Sequence, residues 1–216
     1  MKSPEHSPER DAALEALLPN VPFDGWTYRA LRAGLKSIGA DPRDAELLFP
    51  GGARDMIEAF SDLADRRMEQ AAATEDFSGL RTPERVRRVI ILRLAQNAGR
   101  KEAVRRALAI LSLPGNATLA ATCTARTVDA IWHAARDQAT DFSWYTKRAI
   151  LAGVYSTTVL YWLRDVSEGN EATIAFLNRR LQEVGRITQV RRRITERMER
   201  LASMLPGFGS LRRAEG

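Results

Sequence analysis

The chain has 216 residues, a net charge of +6 and a single cysteine, Cys123. This length suits one domain, or one domain with an appendage, and it is enough to bury a full core. A lone cysteine excludes an internal disulfide and a cysteine cluster for zinc. The excess positive charge is carried mainly by arginine, and it allows nucleic acid, anionic lipid or an acidic protein as a partner.

The composition predicts an all-α fold, because Ala, Leu, Arg and Glu abound and alternating β-branched runs are missing. Residues 1–7 are predicted to be a disordered tail. We expect about nine helices and then a C-terminal amphipathic helix. The nine are predicted at about 8–18, 27–38, 42–48, 53–73, 82–94, 100–112, 116–135, 141–162 and 170–184. Pro19 and Pro22 are expected to end the first helix, and Thr27 to cap the second. Charged side chains such as Asp65 of the fourth helix and Arg93 of the fifth are expected on solvated helix faces.

The segment 8–52 resembles the helix-turn-helix head of TetR-type regulators. The third helix of such a head enters the major groove, and here it is the short acidic segment 42–48, in which Arg43 stands against Asp44 and Glu46. DNA binding draws its affinity from neutralised phosphates, so an acidic recognition helix argues against it. We therefore expect a degenerate head, with the architecture but no nucleic acid partner.

The segment 141–162, DFSWYTKRAILAGVYSTTVLYW, is predicted to be the central helix. It carries no charge from Ala149 to Leu163, and a helix that is apolar all round should be packed on both sides. Fifteen residues are too few to span a bilayer, which needs about twenty. One side is expected to serve the core, and the other a second core, a subunit or an apolar ligand.

The start of this helix groups large aromatic side chains with an arginine. At helical spacing Asp141, Trp144, Tyr145 and Arg148 share one face. Aromatic residues beside arginine are typical of protein–protein hot spots. In the alternative interpretation, the two aromatics cover the bottom of the core and the arginine is a solvated helix end.

The helices at 141–162 and 170–184 are predicted to form a hairpin. Two copies of such a hairpin could pair as a four-helix bundle, and symmetric dimers are the commonest assembly. The residues predicted at this dimer interface are Tyr161, Trp162, Ile174 and Leu177.

The region 185–216 is predicted to be a membrane-binding amphipathic helix, up to about 205, followed by a tail. An arginine-rich face that includes Arg191 and Arg193 lies opposite an apolar stripe, which fits a helix on an anionic membrane surface. The alternatives are a last helix packed on the body and a coiled-coil partner. The stripe consists of Ile187, Val190, Ile194, Met198, Leu201 and Leu205.

The sequence lacks the common motifs of catalysis and cofactor binding. It has no dinucleotide fingerprint, no phosphate-binding loop, no H-E-x-x-H pair and no C-x-x-C pair. The two histidines are far apart, which argues against a histidine metal site. We therefore expect a binding protein that is not an enzyme and needs no cofactor.

The motif DFSWYTKRAILAGVY at 141–155 resembles the CoQ-nine family, the lipid-binding accessory proteins of ubiquinone biosynthesis. The run 126–141 and the Leu-Phe-Pro-Gly-Gly step at 48–52 extend this resemblance, which covers about residues 10–184. It implies a TetR-like fold without DNA binding, usually a dimer, with a pocket for an isoprenoid lipid or quinone and a membrane-associating last helix. It also implies a partner, the di-iron demethoxyubiquinone hydroxylase, docked on the patch of Asp141, Trp144, Tyr145 and Arg148.

The resemblance assigns the core 53–184 to lipid binding and dimerisation. The expected function is to accommodate a polyprenyl quinone intermediate and present it to the hydroxylase. Because no eukaryotic targeting segment precedes the domain, the expected location is a bacterial cytoplasm, at the inner face of the cytoplasmic membrane. The candidate pocket residues are Phe60, Ile90, Leu94, Val128, Ile131, Leu151 and Tyr155.

Two alternative functions make different predictions. A TetR-type regulator that responds to a small molecule predicts salt-dependent binding to a palindromic duplex. An enzyme with its own active site predicts turnover by the purified protein without the hydroxylase.

Overall fold

A computed structural model describes residues 7–137 and 143–185, and for residues 143–145 it describes the backbone alone. Within these ranges the secondary structure is helical, with no strand, so the all-α prediction is confirmed. The helices are α1 Pro8–Leu17, α2 Val21–Asp24, α3 Tyr28–Ser37, α4 Ala45–Leu48, α5 Ala53–Ala73, α6 Thr82–Ala95, α7 Lys101–Leu111, α8 Ala117–Ala134, α9 Ser143–Trp162 and α10 171–185.

Side-chain caps and prolines define the helix starts in the head. The Ser7 hydroxyl accepts from the N–H of Arg10 at 3.2 Å, and the Thr27 hydroxyl accepts from the N–H of Ala30 at 3.2 Å. Pro19 and Pro22 were expected only to end the first helix. Instead each occupies the first turn of a new short helical segment, where its missing N–H costs nothing.

The α1 and α3 helices cross closely in the head. A Cβ built on Gly34 of α3 would lie 2.5 Å from the carbonyl oxygen of Ala16. Only a glycine allows the two backbones to approach this closely. The crossing closes a core in which Leu14, Leu17 and Leu31 are fully buried.

The predicted recognition helix forms as a 3-10 turn, Pro42–Asp44, followed by α4. Its one arginine is engaged locally, because the Arg43 guanidinium donates to both carboxylate oxygens of Asp41. Glu46 forms an ion pair with Arg32 of α3. Arg43 and Glu46 are therefore paired with neighbours in the head.

A second core lies in the body of the molecule. It is formed by the C-terminal half of α5 together with α6, α8, α9 and α10. Trp26 joins the head to the helices of the body, since its indole N–H donates to the carbonyl of Ala103 in α7 at 3.1 Å. Its ring also contacts Phe60 of α5, with ring centroids 5.3 Å apart.

The α9 helix is buried on one side only. Leu151, Val154 and Trp162 are at most 6 % exposed, whereas Ile150 and Leu160 on the other side are 36 % and 58 % exposed. Packing of α9 on both sides is therefore not achieved within a single chain. This side carries no charge, as the sequence indicated, and it is left as an uncharged surface on which Ser156 and Thr157 are exposed beside Ile150 and Leu160.

No described helix is long and apolar enough to cross a membrane by itself. The segments Ala98–Leu111 and Pro114–Ala134 pass that test of length and composition as a pair, bent by 100°.

Candidate ligand cavity

A cavity of about 340 Å³ lies between α5, α6, α7, α8 and α9. Binding sites for small molecules measure roughly 300–1,000 Å³, so this volume stands at the small end of that range. The space exists because short side chains face one another from α7, α8 and α9. These short side chains are Ala107, Ala120, Cys123, Thr124 and Ser156.

Most of the cavity wall is apolar. Large aliphatic and aromatic side chains from α5, α6, α7 and α9 form it, which suits a hydrocarbon ligand because each buried CH₂ contributes about 0.8 kcal/mol. The apolar wall consists of Ile57, Phe60, Leu94, Val104, Leu108, Leu111, Val159, Leu160 and Trp162.

One end of the cavity is polar and contains a buried ion pair. The Nε of Arg93 on α6 donates to Oδ1 of Asp65 on α5 at 2.9 Å, and both side chains are less than 10 % exposed. The hydroxyl of Thr127 donates to Oδ2 of the same carboxylate at 2.9 Å. Asn97 adds support, since its side-chain N–H₂ donates to the carbonyl of Arg93 at 3.0 Å.

Burial shifts the ionisation of this polar end. Desolvation raises the pKa of the Asp65 carboxyl, while the charge of Arg93 acts to lower it. Desolvation also raises the pKa of the Tyr155 phenol above its usual value, so this side chain keeps its proton at neutral pH. Burial likewise raises the pKa of the Cys123 thiol to about 11, which leaves it protonated and unreactive.

The cavity opens on the side formed by the C-terminal end of α7 and the outer face of α9. Of the lining residues, Ser112, Ser156 and Leu160 are exposed. Leu113 follows α7 next to this opening and is 55 % exposed. The rim therefore includes large apolar side chains, in contrast to the buried polar end.

The structure places three of the seven predicted pocket residues on the cavity wall, namely Phe60, Leu94 and Tyr155. The other four do not line it, and their placement is corrected. They pack tightly in the second core. The prediction was wrong because helical spacing identifies a buried face but not which part of that face borders a cavity. These four are Ile90, Val128, Ile131 and Leu151.

Two residues of the polar end were misjudged from the sequence. Arg93 was assigned to the solvated face of its helix, and Asp65 to the surface of α5. Both lie on the apolar stripe instead, Arg93 four residues after Val89 and Asp65 three residues before Met68. Their position on the stripe is the signal that could have identified a buried pair.

Two of the four predicted dimer residues are buried within the chain. Trp162 is 1 % and Leu177 0 % exposed, so their side chains belong to the second core rather than to an outer face. Ile174 is half-buried. Tyr161 is 37 % exposed and stacks on Phe176 of α10, with ring centroids 4.6 Å apart.

The predicted partner-binding patch is described only in part. Arg148 forms an ion pair with Asp129 of α8, and this contact fixes the start of α9 against α8. Asp141 and the side chains of Trp144 and Tyr145 lie outside the described residues. The predicted membrane-binding residues also lie outside them; these are Ile187, Val190, Arg191, Arg193, Ile194, Met198, Leu201 and Leu205.

In the part of the chain that the structure describes, no three His, Cys, Asp or Glu side chains come together as metal ligands would. The site is thus defined by a cavity with an apolar wall and one polar end.

The fold is that of the TetR class, a small helical head on a helical body that encloses a cavity. A TetR transcriptional regulator from Nitrosomonas europaea superposes with a TM-score of 0.66, covering 82 % of this chain and 98 % of that one at 23 % sequence identity. At this identity the likeness establishes the fold alone.

Sequence comparison then identifies the family. A family model described as COQ9 matches residues 117–188, which include α8, α9 and α10. The Schizosaccharomyces pombe mitochondrial ubiquinone biosynthesis protein coq9 is 30 % identical over 85 % of this chain and 72 % of its own length. The chain belongs to the COQ9 family.

Mammalian relatives extend the match. The mitochondrial ubiquinone biosynthesis protein COQ9 of Rattus norvegicus is 32 % identical over 90 % of this chain, and that of Homo sapiens is 31 % identical over 90 %. The chain spans 64 % and 63 % of the lengths of these two relatives.

Proposed function

We propose that this chain is a non-catalytic, lipid-binding accessory protein of ubiquinone biosynthesis. It binds a membrane surface, accommodates part of a polyprenyl quinone intermediate in the cavity, and presents that intermediate to the di-iron demethoxyubiquinone hydroxylase. Membership of the COQ9 family supports the pathway, since the named relatives are ubiquinone biosynthesis proteins. The observation that carries the proposal is the apolar cavity.

The size and shape of the cavity support partial accommodation of such a ligand. A volume of about 340 Å³ suits a substituted ring with a short piece of tail, rather than a complete polyprenyl chain. A polyprenyl tail is costly to transfer into water, at about 0.8 kcal/mol per CH₂. The apolar rim around Leu160 allows the remaining tail to stay in contact with apolar surroundings.

A cavity-blocking substitution tests this function. Ala120→Trp places an indole in the cavity from α8, whereas Ala125→Trp adds the same ring to the exposed side of that helix. We expect Ala120→Trp to lower the cellular ubiquinone content several-fold in a strain that depends on this chain, and Ala125→Trp to leave it unchanged. Equal ubiquinone in both strains, at equal amounts of folded protein, would contradict the role of the cavity.

The docking of the hydroxylase is proposed on the patch of Asp141, Trp144, Tyr145 and Arg148. The double change Trp144→Ala/Tyr145→Ala should abolish co-purification with the hydroxylase and lower ubiquinone synthesis while lipid binding persists. Unchanged hydroxylase binding would remove this patch from the proposal.

Membrane binding is proposed for the segment 186–216, on the inner face of the cytoplasmic membrane of a bacterium. Its arginine-rich face should make binding depend on anionic lipid and salt. Removal of this segment should abolish flotation with vesicles that contain anionic lipid. Full flotation of the truncated chain would contradict the assignment.

A further inference from the structure

The polar end of the cavity retains unused hydrogen-bond donors. Arg93 uses Nε for Asp65 and a long 3.4 Å contact from Nη2 for the carbonyl of Ser61. Within the described residues its Nη1 makes no hydrogen bond, and neither does the hydroxyl of Tyr155. Both side chains line the cavity, so these N–H and O–H groups are available to a ligand.

The carboxylate at this end is already engaged by neighbouring side chains. Both oxygens of Asp65 already accept hydrogen bonds, one from Arg93 and the other from Thr127. Its negative charge also offsets that of the guanidinium, so the end is close to neutral. An anionic ligand group would give up its hydration here without meeting a net opposite charge, which is unfavourable in a buried site.

A pure hydrocarbon is also a poor match for this end. It would displace water from the Arg93 Nη1 and Tyr155 donors and leave them unsatisfied, at the cost of desolvating buried polar groups. A neutral group with acceptor oxygens and no acidic proton satisfies both donors at once. A quinone ring with carbonyl and methoxy oxygens has this chemistry.

We propose, building on the proposed function, that the ligand enters the cavity ring first and that a ring oxygen accepts hydrogen bonds from Arg93 Nη1 and the Tyr155 hydroxyl. The isoprenoid tail then runs along the apolar wall towards the rim at Leu160. Arg93 and Tyr155 thus select a neutral, acceptor-bearing ring over an anionic lipid or a bare isoprenoid.

The experiment compares three ligands on the purified full chain by isothermal titration calorimetry. They are a ubiquinone with a two-isoprene tail, the isoprenoid hydrocarbon myrcene and the anion decanoate. We expect the quinone to bind at least about tenfold more tightly than either of the others, the factor that corresponds to roughly one well-made hydrogen bond. Tighter binding of decanoate than of the quinone would overturn the neutral-ring assignment.

Tyr155→Phe isolates the hydroxyl, because it removes one oxygen and keeps the ring in place. It should weaken the affinity for the quinone about fivefold and leave the affinity for myrcene unchanged. Thr157→Val is the matched control, since it removes a hydroxyl from the exposed side of α9 and should alter neither affinity. Equal loss of both ligands in Tyr155→Phe would indicate a packing role and overturn the inference, as would an unchanged quinone affinity.

The double change Asp65→Asn/Arg93→Gln tests the second donor while avoiding an unpaired buried charge. It should weaken the affinity for the quinone about tenfold and leave the affinity for myrcene unchanged. Thermal melting checks that the variant folds. If it does not fold, the Tyr155→Phe result tests the inference by itself. If the wild-type chain binds none of the three ligands, the proposed function itself fails. If it binds all three equally well, lipid binding stands and the ring-first selection is wrong.

Discussion

The head and the body of this molecule use the same kind of helix in opposite ways. In the head, α1 and α3 bury their leucine side chains almost completely, and the α1–α3 crossing leaves room only for the hydrogen of Gly34. In the body, α5 to α9 keep about 340 Å³ open between them, and one side of α9 is exposed. A closed core provides rigidity, whereas the open one provides a site.

The recognition segment of the head and the polar end of the cavity also differ in how their charged side chains are paired. In the acidic recognition segment Arg43 is committed to Asp41, and Glu46 to Arg32. In the body, the Asp65–Arg93 pair is buried at the cavity, and the Nη1 of Arg93 donates no hydrogen bond within the described residues. The recognition segment thus has its arginine paired within the head, whereas the polar end of the cavity keeps hydrogen-bond donors available to a ligand.

The largest effect is expected where the two regions meet, at Trp26. Trp26→Ala removes a side chain that is 2 % exposed, together with its hydrogen bond to Ala103. We expect the free energy of unfolding to fall by about 3–5 kcal/mol in urea titrations. Phe23→Ala is the control, because that ring is 84 % exposed and should change stability by no more than about 0.5 kcal/mol. Similar values for the two variants would contradict a head and body joined by Trp26.

Two glycines, one in the closed core and one on the exposed side of α9, should respond to substitution in opposite ways. Gly34→Ala forces a methyl group against the Ala16 carbonyl and should cost about 1–3 kcal/mol of stability. Gly153→Ala on the open side of α9 meets no atom within 4 Å, so the better helix propensity of alanine should add about 0.5–1 kcal/mol. Thermal unfolding should show shifts of opposite sign. Shifts of the same sign would mean that the α9 side is not open.

A smaller effect is predicted at Asp165, between α9 and α10. Burial acts to raise the pKa of this carboxyl, but hydrogen bonds from Ser167 and Thr173 outweigh it and hold the pKa well below its usual value. Its contribution to stability is therefore complete above the ordinary Asp pKa of about 3.9 and is lost as the pH falls through the lower, folded-state value. Asp165→Asn should cost about 2 kcal/mol at pH 7, and its difference from the wild type should shrink below about pH 4. A difference that is constant with pH would contradict the shifted pKa.

The helical order and most boundaries could be predicted from the sequence, because caps and prolines act locally. Thr27 was expected to cap α3, and its hydroxyl accepts from Ala30 N–H as a cap does. The acidic character of the segment 42–48 could also be seen in the sequence. These features depend on residues within a few positions of one another.

The cavity could not be predicted in the same way, because it depends on which helix faces meet across the body. Phe60 and Leu94 were placed on its wall correctly, but Ile90 and Val128 fill the neighbouring core. The small side chains of Ala107, Ala120 and others make the space, and periodicity does not reveal that they converge. Arg93 was wrongly assigned to a solvated face because charged side chains are usually exposed, although its position on the apolar stripe indicated burial.

Native mass spectrometry of the purified chain, followed by solvent extraction and identification of any bound lipid, would show directly whether the cavity holds a lipid. We expect about one isoprenoid or quinone molecule per chain in the wild type and a marked loss in the cavity-blocked variant Ala120→Trp, with Ala125→Trp as the control. A wild-type chain that carries no lipid and takes up none from added quinone would contradict the assignment of the cavity as a lipid site.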